Sequence, residues 1–209
     1  MIQLCYRISL AIFVVASVLD LCSAATVNAQ QIVIPPPPSA PESTEAPSSA
    51  EAVITPGFWI VGSHGSPQTF DESAPVFCPS VTRYDHCAGF RRTDMRELTE
   101  SILPGVPVCI FCHGSFVGWD DVLAESRETW KWVHHACPRQ PIQMIYFSWP
   151  SDRPAFSPIV QFDVNRLGRR AGRNGFYMAS LCQQIPAECP ICLMGHSHGT
   201  RVITSSLHL

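Results

Sequence analysis

Three short runs of apolar, mostly β-forming residues, at 106–112, 142–147 and 190–194, each end on turn-forming sequence, and helix-compatible stretches fall between them. Runs that are apolar almost throughout suit strands covered on both faces, as in parallel sheets. A fourth run, Phe58-Trp59-Ile60-Val61, precedes them, and 75–85 holds a poorly defined further strand. Thr93 is placed to cap a helix from Asp94 to about Ile102, with Asp94 favourable in the first turn. Residues 120–135 read as a helix whose apolar stripe includes Val122, Leu123, Trp130 and Val133. A longer helix is expected over 161–184, where Gly168, Gly172 and Gly175 either weaken it or mark close packing. Strand 190–194 and a helix over 198–209 complete the series. Alternating β and α units predict an α/β fold with a doubly wound, mostly parallel sheet, whose reactive groups gather at the carboxyl ends of its strands.

The segments before Phe58 do not belong to this pattern. Arg7 precedes the apolar stretch 8–19, which suits the core of a signal peptide and is short for a bilayer span. Val27-Asn28-Ala29 offers a cleavage site after Ala29, with Ala24 second; bulky Leu21 before Cys22 argues against a lipid anchor. Residues 1–29 are therefore expected to be a signal peptide, and 57–209 an exported domain with no stable membrane span. Residues 30–56, with Pro35 to Pro38 and many Ser, Ala and Glu, cannot bury enough apolar surface to offset chain entropy and read as a tether. A net charge of −3, with Lys131 the only lysine, gives no footprint for nucleic acid. The Arg166, Arg169, Arg170, Arg173 series reads as a solvated helix face.

Ten cysteines suit an oxidising compartment, and eight remain once Cys5 and Cys22 leave with the signal. The pairs Cys109/Cys112 and Cys189/Cys192 have zinc-ligand spacing. An odd offset along a strand, however, sends Cys109 and Cys112 to opposite faces. Cys109 and Cys192 read as buried thiols acting as small hydrophobes, and no metal or other cofactor is expected. Cys78 and Cys87, in turn-rich sequence, are expected to form a disulfide.

Chemistry concentrates at Met194-Gly195-His196-Ser197-His198-Gly199-Thr200, directly behind the strand 190–194. A G-x-S-x-G sequence between a strand and a helix is the context of a nucleophile elbow. Flanking glycines leave room for a strained turn that lifts the Ser197 hydroxyl above the sheet edge. Ser197 is the expected nucleophile and the His198 N–H an expected oxyanion donor. His196 and His198 themselves, as neighbours on a tight turn, point away from the serine and are poor bases. After the strand 106–112 comes His113-Gly114-Ser115-Phe116, where Gly114 lets the backbone turn close to a substrate. The N–H of Ser115 or of Phe116 is then the second oxyanion donor. His113, Gly114 and Trp149, at the ends of neighbouring strands, are expected to line a pocket, a packed core position being the alternative for Trp149.

The segments 108–115, Phe147-Ser148-Trp149-Pro150-Ser151 and 193–201 together resemble the α/β-hydrolase superfamily, in particular bacterial branches of unassigned function. The resemblance covers 58–209. It implies a Ser–His–acid triad, an oxyanion hole and a small-molecule acyl substrate, and leaves open which acyl compound. In that superfamily an acid and a histidine follow the nucleophile. Residues 200–209 contain no Asp or Glu and one histidine, His208, which a helix leaving the elbow carries away at about 1.5 Å per residue. His134 and His135 precede the serine and would need another topology. The expectation is thus an exported serine hydrolase, incomplete at its C-terminus and with little activity of its own. The other class of reading is a non-catalytic exported module that binds a partner through the open edge of the same sheet.

Overall fold

The computed structural model describes residues 57–69, 76–138, 140–152 and 160–209. The expected signal segment 1–29 and tether 30–56, with Cys5 and Cys22, lie outside the described residues, as does Pro75.

Strand β1 (Gly57–Gly62) leads to a hairpin of β2 (Ser80–Asp85) and β3 (Gly89–Thr93), and then to helix α1 (Met95–Ser101). Three β–α units follow. They are β4 (Val108–Cys112) with α2 (Trp119–Ala136), β5 (Gln143–Ser148) with α3 (Val160–Cys182), and β6 (Ile191–Gly195) with α4 (His198–Ser206). The six strands form one mixed sheet in the order β3-β2-β1-β5-β4-β6. β1, β5, β4 and β6 run parallel, and β2 and β3 are antiparallel additions on the β1 side.

Side-chain alternation along these strands builds two cores. Val61, Val108, Ile110, Cys112, Ile145, Phe147 and Leu193 face Leu98 of α1, Leu167 and Met178 of α3, and Val202 and Ile203 of α4. Phe58, Ile60, Cys109, Met144 and Tyr146 face Val122 and Val133 of α2. Helices therefore cover both faces, which is why the central strands read as unbroken apolar runs.

Elements on the β1 side depart from the sequence expectation. The helix after β3 is capped by Asp94, whose carboxylate accepts the Glu97 N–H at 2.9 Å, and Thr93 is instead the last residue of β3. Asp94 has the extended backbone that an N-cap requires. β3 itself has no apolar alternation: Gly89, Arg91, Arg92 and Thr93 are polar or small. It is held by Phe90, which packs edge-on to Phe58 and tilted against Tyr84, and by Arg91 and Arg83 pairing with Glu97 of α1.

The disulfide expected between Cys78 and Cys87 is excluded by this hairpin. Both thiols are free, and the six residues of β2 stand between them. At about 3.3 Å per residue that strand spans roughly 20 Å, whereas a disulfide bridges Cα atoms about 4.4–6.8 Å apart.

Of the three glycines of α3, Gly168 and Gly175 mark close packing and Gly172 does not. A Cβ on Gly175 would stand 2.9 Å from the Val202 carbonyl oxygen and 2.5 Å from Ser205 Cβ. One on Gly168 would lie 3.2 Å from Arg201 and 3.3 Å from His198, but one on Gly172 would meet only Ser205 Oγ, at 3.7 Å. Gly175→Ala is expected to push α4 away and cost about 1–3 kcal/mol of stability through overpacking. Gly172→Ala is expected to be neutral or to gain about 0.5–1 kcal/mol from helix propensity. Chemical denaturation of the two variants side by side checks this contrast.

Candidate functional site

The carboxyl ends of β4, β5 and β6 bring 113–118, 148–152 and 195–200 to one edge of the sheet. Ser197 takes φ 52°, ψ −126°, in the left-handed half of conformational space that residues with a Cβ rarely enter. Its hydroxyl makes no capping bond to α4. The chain cannot relax because its flanks leave no room. A Cβ on Gly199 would overlap the Cys112 carbonyl oxygen and stand 2.5 Å from that of His113, and one on Gly195 would stand 2.6 Å from Ile203 Cδ1. The turn from β6 into α4 is thereby wedged against the end of β4, and His196 N–H bonds to Cys112 O at 3.2 Å.

Gly114 lies beside the serine. A Cβ there would be 3.2 Å from Ser197 Cβ and 2.7 Å from His196 Nδ1. The structure thus brings the loop after β4 against the turn after β6. Within α4's first turn, Gly199 N–H bonds to His196 O at 2.8 Å and Thr200 N–H to Ser197 O at 3.0 Å. The His198 N–H meets no acceptor among the described residues, and the same holds for the Ser115 N–H. Phe116 N–H is different: it is donated to Ser151 O at 2.8 Å, which leaves Ser115 of the two alternatives for the oxyanion donor expected from this loop. Phe116 itself has φ 65° and an exposed ring.

The residue that fixes this loop is Ser151, to which no role was expected from sequence. It is fully buried, and its Oγ accepts from Val117 N–H and donates to Val117 O, both at 3.2 Å. Its position two residues beyond Trp149 in the F-S-W-P-S segment was the available signal.

His113 and Trp149 do not line a pocket; both are core residues, 1% and 0% exposed. Trp149 N–H donates to His113 Nε2 at 3.2 Å, and the indole Nε1–H donates to His113 O at 2.9 Å. His113 therefore carries its proton on Nδ1, which donates to Gly114 O at 2.8 Å. The imidazole stacks between Tyr146 and Trp149 at 5.9 and 5.8 Å. Burial pushes its pKa down to about 4, so it is neutral and structural.

The His198 ring is hydrogen-bonded through Nδ1 to the Ser115 hydroxyl, and its Nε2 faces Gly168 of α3. Burial and the nearby Arg201 guanidinium hold its pKa below the usual histidine value. That ring ties the β4 loop to α4 through Ser115 and is engaged there. His208 lies beyond the far end of α4, its N–H bonded to Ser205 O.

Two of the four α3 arginines also depart from the solvated face expected of them. Arg170 donates to Pro150 O at 3.1 Å and Arg173 to Gln68 O at 2.7 Å. Each C-x-x-C pair straddles the sheet: Cys112 and Cys189 belong to one core, Cys109 and Cys192 to the other. No group of three or more His, Cys, Asp or Glu suited to a metal occurs among the described residues, and no described helix is long and apolar enough to cross a membrane. No protein-family model, no curated protein and no solved structure matches the chain.

Two outcomes follow from these geometries. Ser197→Gly is expected to stabilise the fold by about 1 kcal/mol, because relief of about 1–3 kcal/mol of backbone strain exceeds the entropy cost of glycine. Ser197→Ala, which keeps the Cβ, is expected to gain nothing, and thermal melts of both variants test this. His113 titrates near pH 6.5 when unfolded and about 4 when folded, so the unfolded chain binds more protons between those values. Its contribution is complete above pH 6.5 and is lost as pH falls toward 4, by roughly 3 kcal/mol in all. His64 and His198, also lowered, act with the same sign. Urea unfolding at pH 7 and pH 4.5 should show the loss in the wild type and a smaller one in His113→Leu.

Proposed function

We propose that the chain is a serine hydrolase of α/β-hydrolase type, exported from the cell and acting on carboxylic esters or related acyl compounds. One observation carries the reading: a serine with strained backbone at a strand-to-helix turn, packed against the glycine of the loop after the neighbouring strand. In the reaction Ser197 Oγ attacks the acyl carbonyl carbon, and the oxygen that gains charge is held by the N–H groups of Ser115 and His198. The α4 N-terminus adds its dipole to the same point. The Ser115–His198 side-chain bond keeps the two donors' residues together, and Ser151 clamps the loop that presents one of them. His113 and Trp149 make that loop rigid from beneath. A histidine other than His198 and His208, with an acid, completes the machinery, since the His198 ring is already engaged with Ser115 and His208 stands at the wrong end of its helix.

A fluorophosphonate probe tests the assignment. Slow labelling of the wild-type chain is expected, lost in Ser197→Ala and kept in Ser206→Ala, with weak turnover of p-nitrophenyl esters because neither His198 nor His208 is placed to take the serine proton. Unchanged labelling in Ser197→Ala would remove Ser197 as the nucleophile. An unreactive wild-type chain that captures a partner along β6 would favour the binding module instead.

A further inference from the structure

Cys109 of β4 and Cys192 of β6 are direct partners in the parallel ladder, between the pairs Val108–Ile191 and Ile110–Leu193. Both side chains project to the α2 face of the sheet, where Cys109 is buried and Cys192 partly exposed. In-register residues on neighbouring parallel strands stand about 4.8 Å apart and point the same way. That separation falls inside the range of about 4.4–6.8 Å over which a disulfide joins two Cα atoms. A third sulfur closes the group, with Cys109 Sγ 3.3 Å from Met194 Sδ.

We propose that Cys109 and Cys192 form a redox pair that closes a cross-strand disulfide between β4 and β6 by exchange with a small-molecule disulfide. The partly exposed Cys192 is the attacking sulfur. Its thiolate attacks one sulfur of the incoming disulfide, whose S–S bond breaks and expels one thiolate. The buried Cys109 sulfur then attacks Cys192 Sγ in the mixed disulfide and expels the second. The two protons of the protein thiols pass to the two leaving thiolates, so the protein pair is oxidised by two electrons and the small disulfide is reduced to two thiols. The hydrogen-bonding Cys109 favours the Cys192 thiolate and holds that thiol below the usual cysteine range, which suits the first step. Cys112 and Cys189 lie on the other side of the sheet and cannot compete. Among the described residues β6 ends the sheet, pairs with β4 alone, and runs directly into Ser197. Closing the bond therefore fastens the strand that carries the elbow. The pair stands on the register of the ladder and is independent of the hydrolase reading.

The test uses the 209-residue chain, equilibrated in glutathione buffers of increasing oxidised fraction, acid-quenched, denatured and alkylated with iodoacetamide. Non-reducing proteolysis and tandem mass spectrometry are expected to show two thiols lost together and a Cys109–Cys192 linked peptide, assigned by fragmentation because Cys112 shares the tryptic peptide of Cys109. The oxidised chain is expected to melt several degrees above the reduced one, a shift absent in Cys109→Ser and Cys192→Ser. Full alkylation of both thiols in every buffer overturns the proposal, and so does a link from either one to Cys137. Mapping on the wild-type chain decides the matter even where a variant fails to fold.

Discussion

At Gly199 the first turn of α4 runs so close to the carbonyl oxygens of Cys112 and His113 that a single methyl group would not fit. That approach is the constraint from which the rest of the sheet edge is built. It holds the end of β6 level with the end of β4, so that the turn between β6 and α4 has no space in which to relax. Ser197 absorbs the difference and takes a backbone conformation that would cost free energy anywhere else. The packing of α4 against the glycine face of α3 supplies the compensation, since Val202 and Ile203 are buried there. Local strain and helix packing are therefore one energetic unit.

The loop after β4 is immobilised by a different means. Three polar residues, His113, Ser148 and Ser151, are buried at the junction of β4 and β5, and each finds partners in the other strand's exit. Leaving such a group unpaired costs about 1–3 kcal/mol, so the network tolerates little displacement. Phe116 shows the effect. Its N–H is bound to Ser151 O, its φ is forced positive, and its ring is left facing solvent. The loop's shape is set by what lies behind it, not by its own preferences.

Much of this was legible in the amino-acid order, and where it was not the reason is physical. β1, β4, β5 and β6 are readable because strands covered on both faces are apolar throughout; the helices between them follow from periodicity. β2 falls within the poorly defined strand expected over 75–85, but its hairpin partner β3 escaped notice because it lies at the sheet's margin, where arginines pair with Glu97 of α1 and no alternation is needed. Asp94 rather than Thr93 caps α1 because β3 pairing continues through Thr93. At the site, the glycines and Ser197 could be read from local sterics. The use of the Phe116 N–H, the clamp by Ser151 and the burial of His113 and Trp149 could not, since each depends on a partner more than thirty residues away. The same holds for Cys109 and Cys192, whose alignment across the ladder no spacing along the chain discloses.

Helix α3 touches more of this molecule than its own length suggests. Asn174 accepts from Ser63 and donates to Gln68, Tyr177 donates to Pro67 O, Arg170 holds Pro150, and the glycine face seats α4. The exits of β1, β5 and β6 are thus moored to a single rod. Heat or denaturant should therefore dismantle the serine turn and the hydrophobic interior in the same cooperative step.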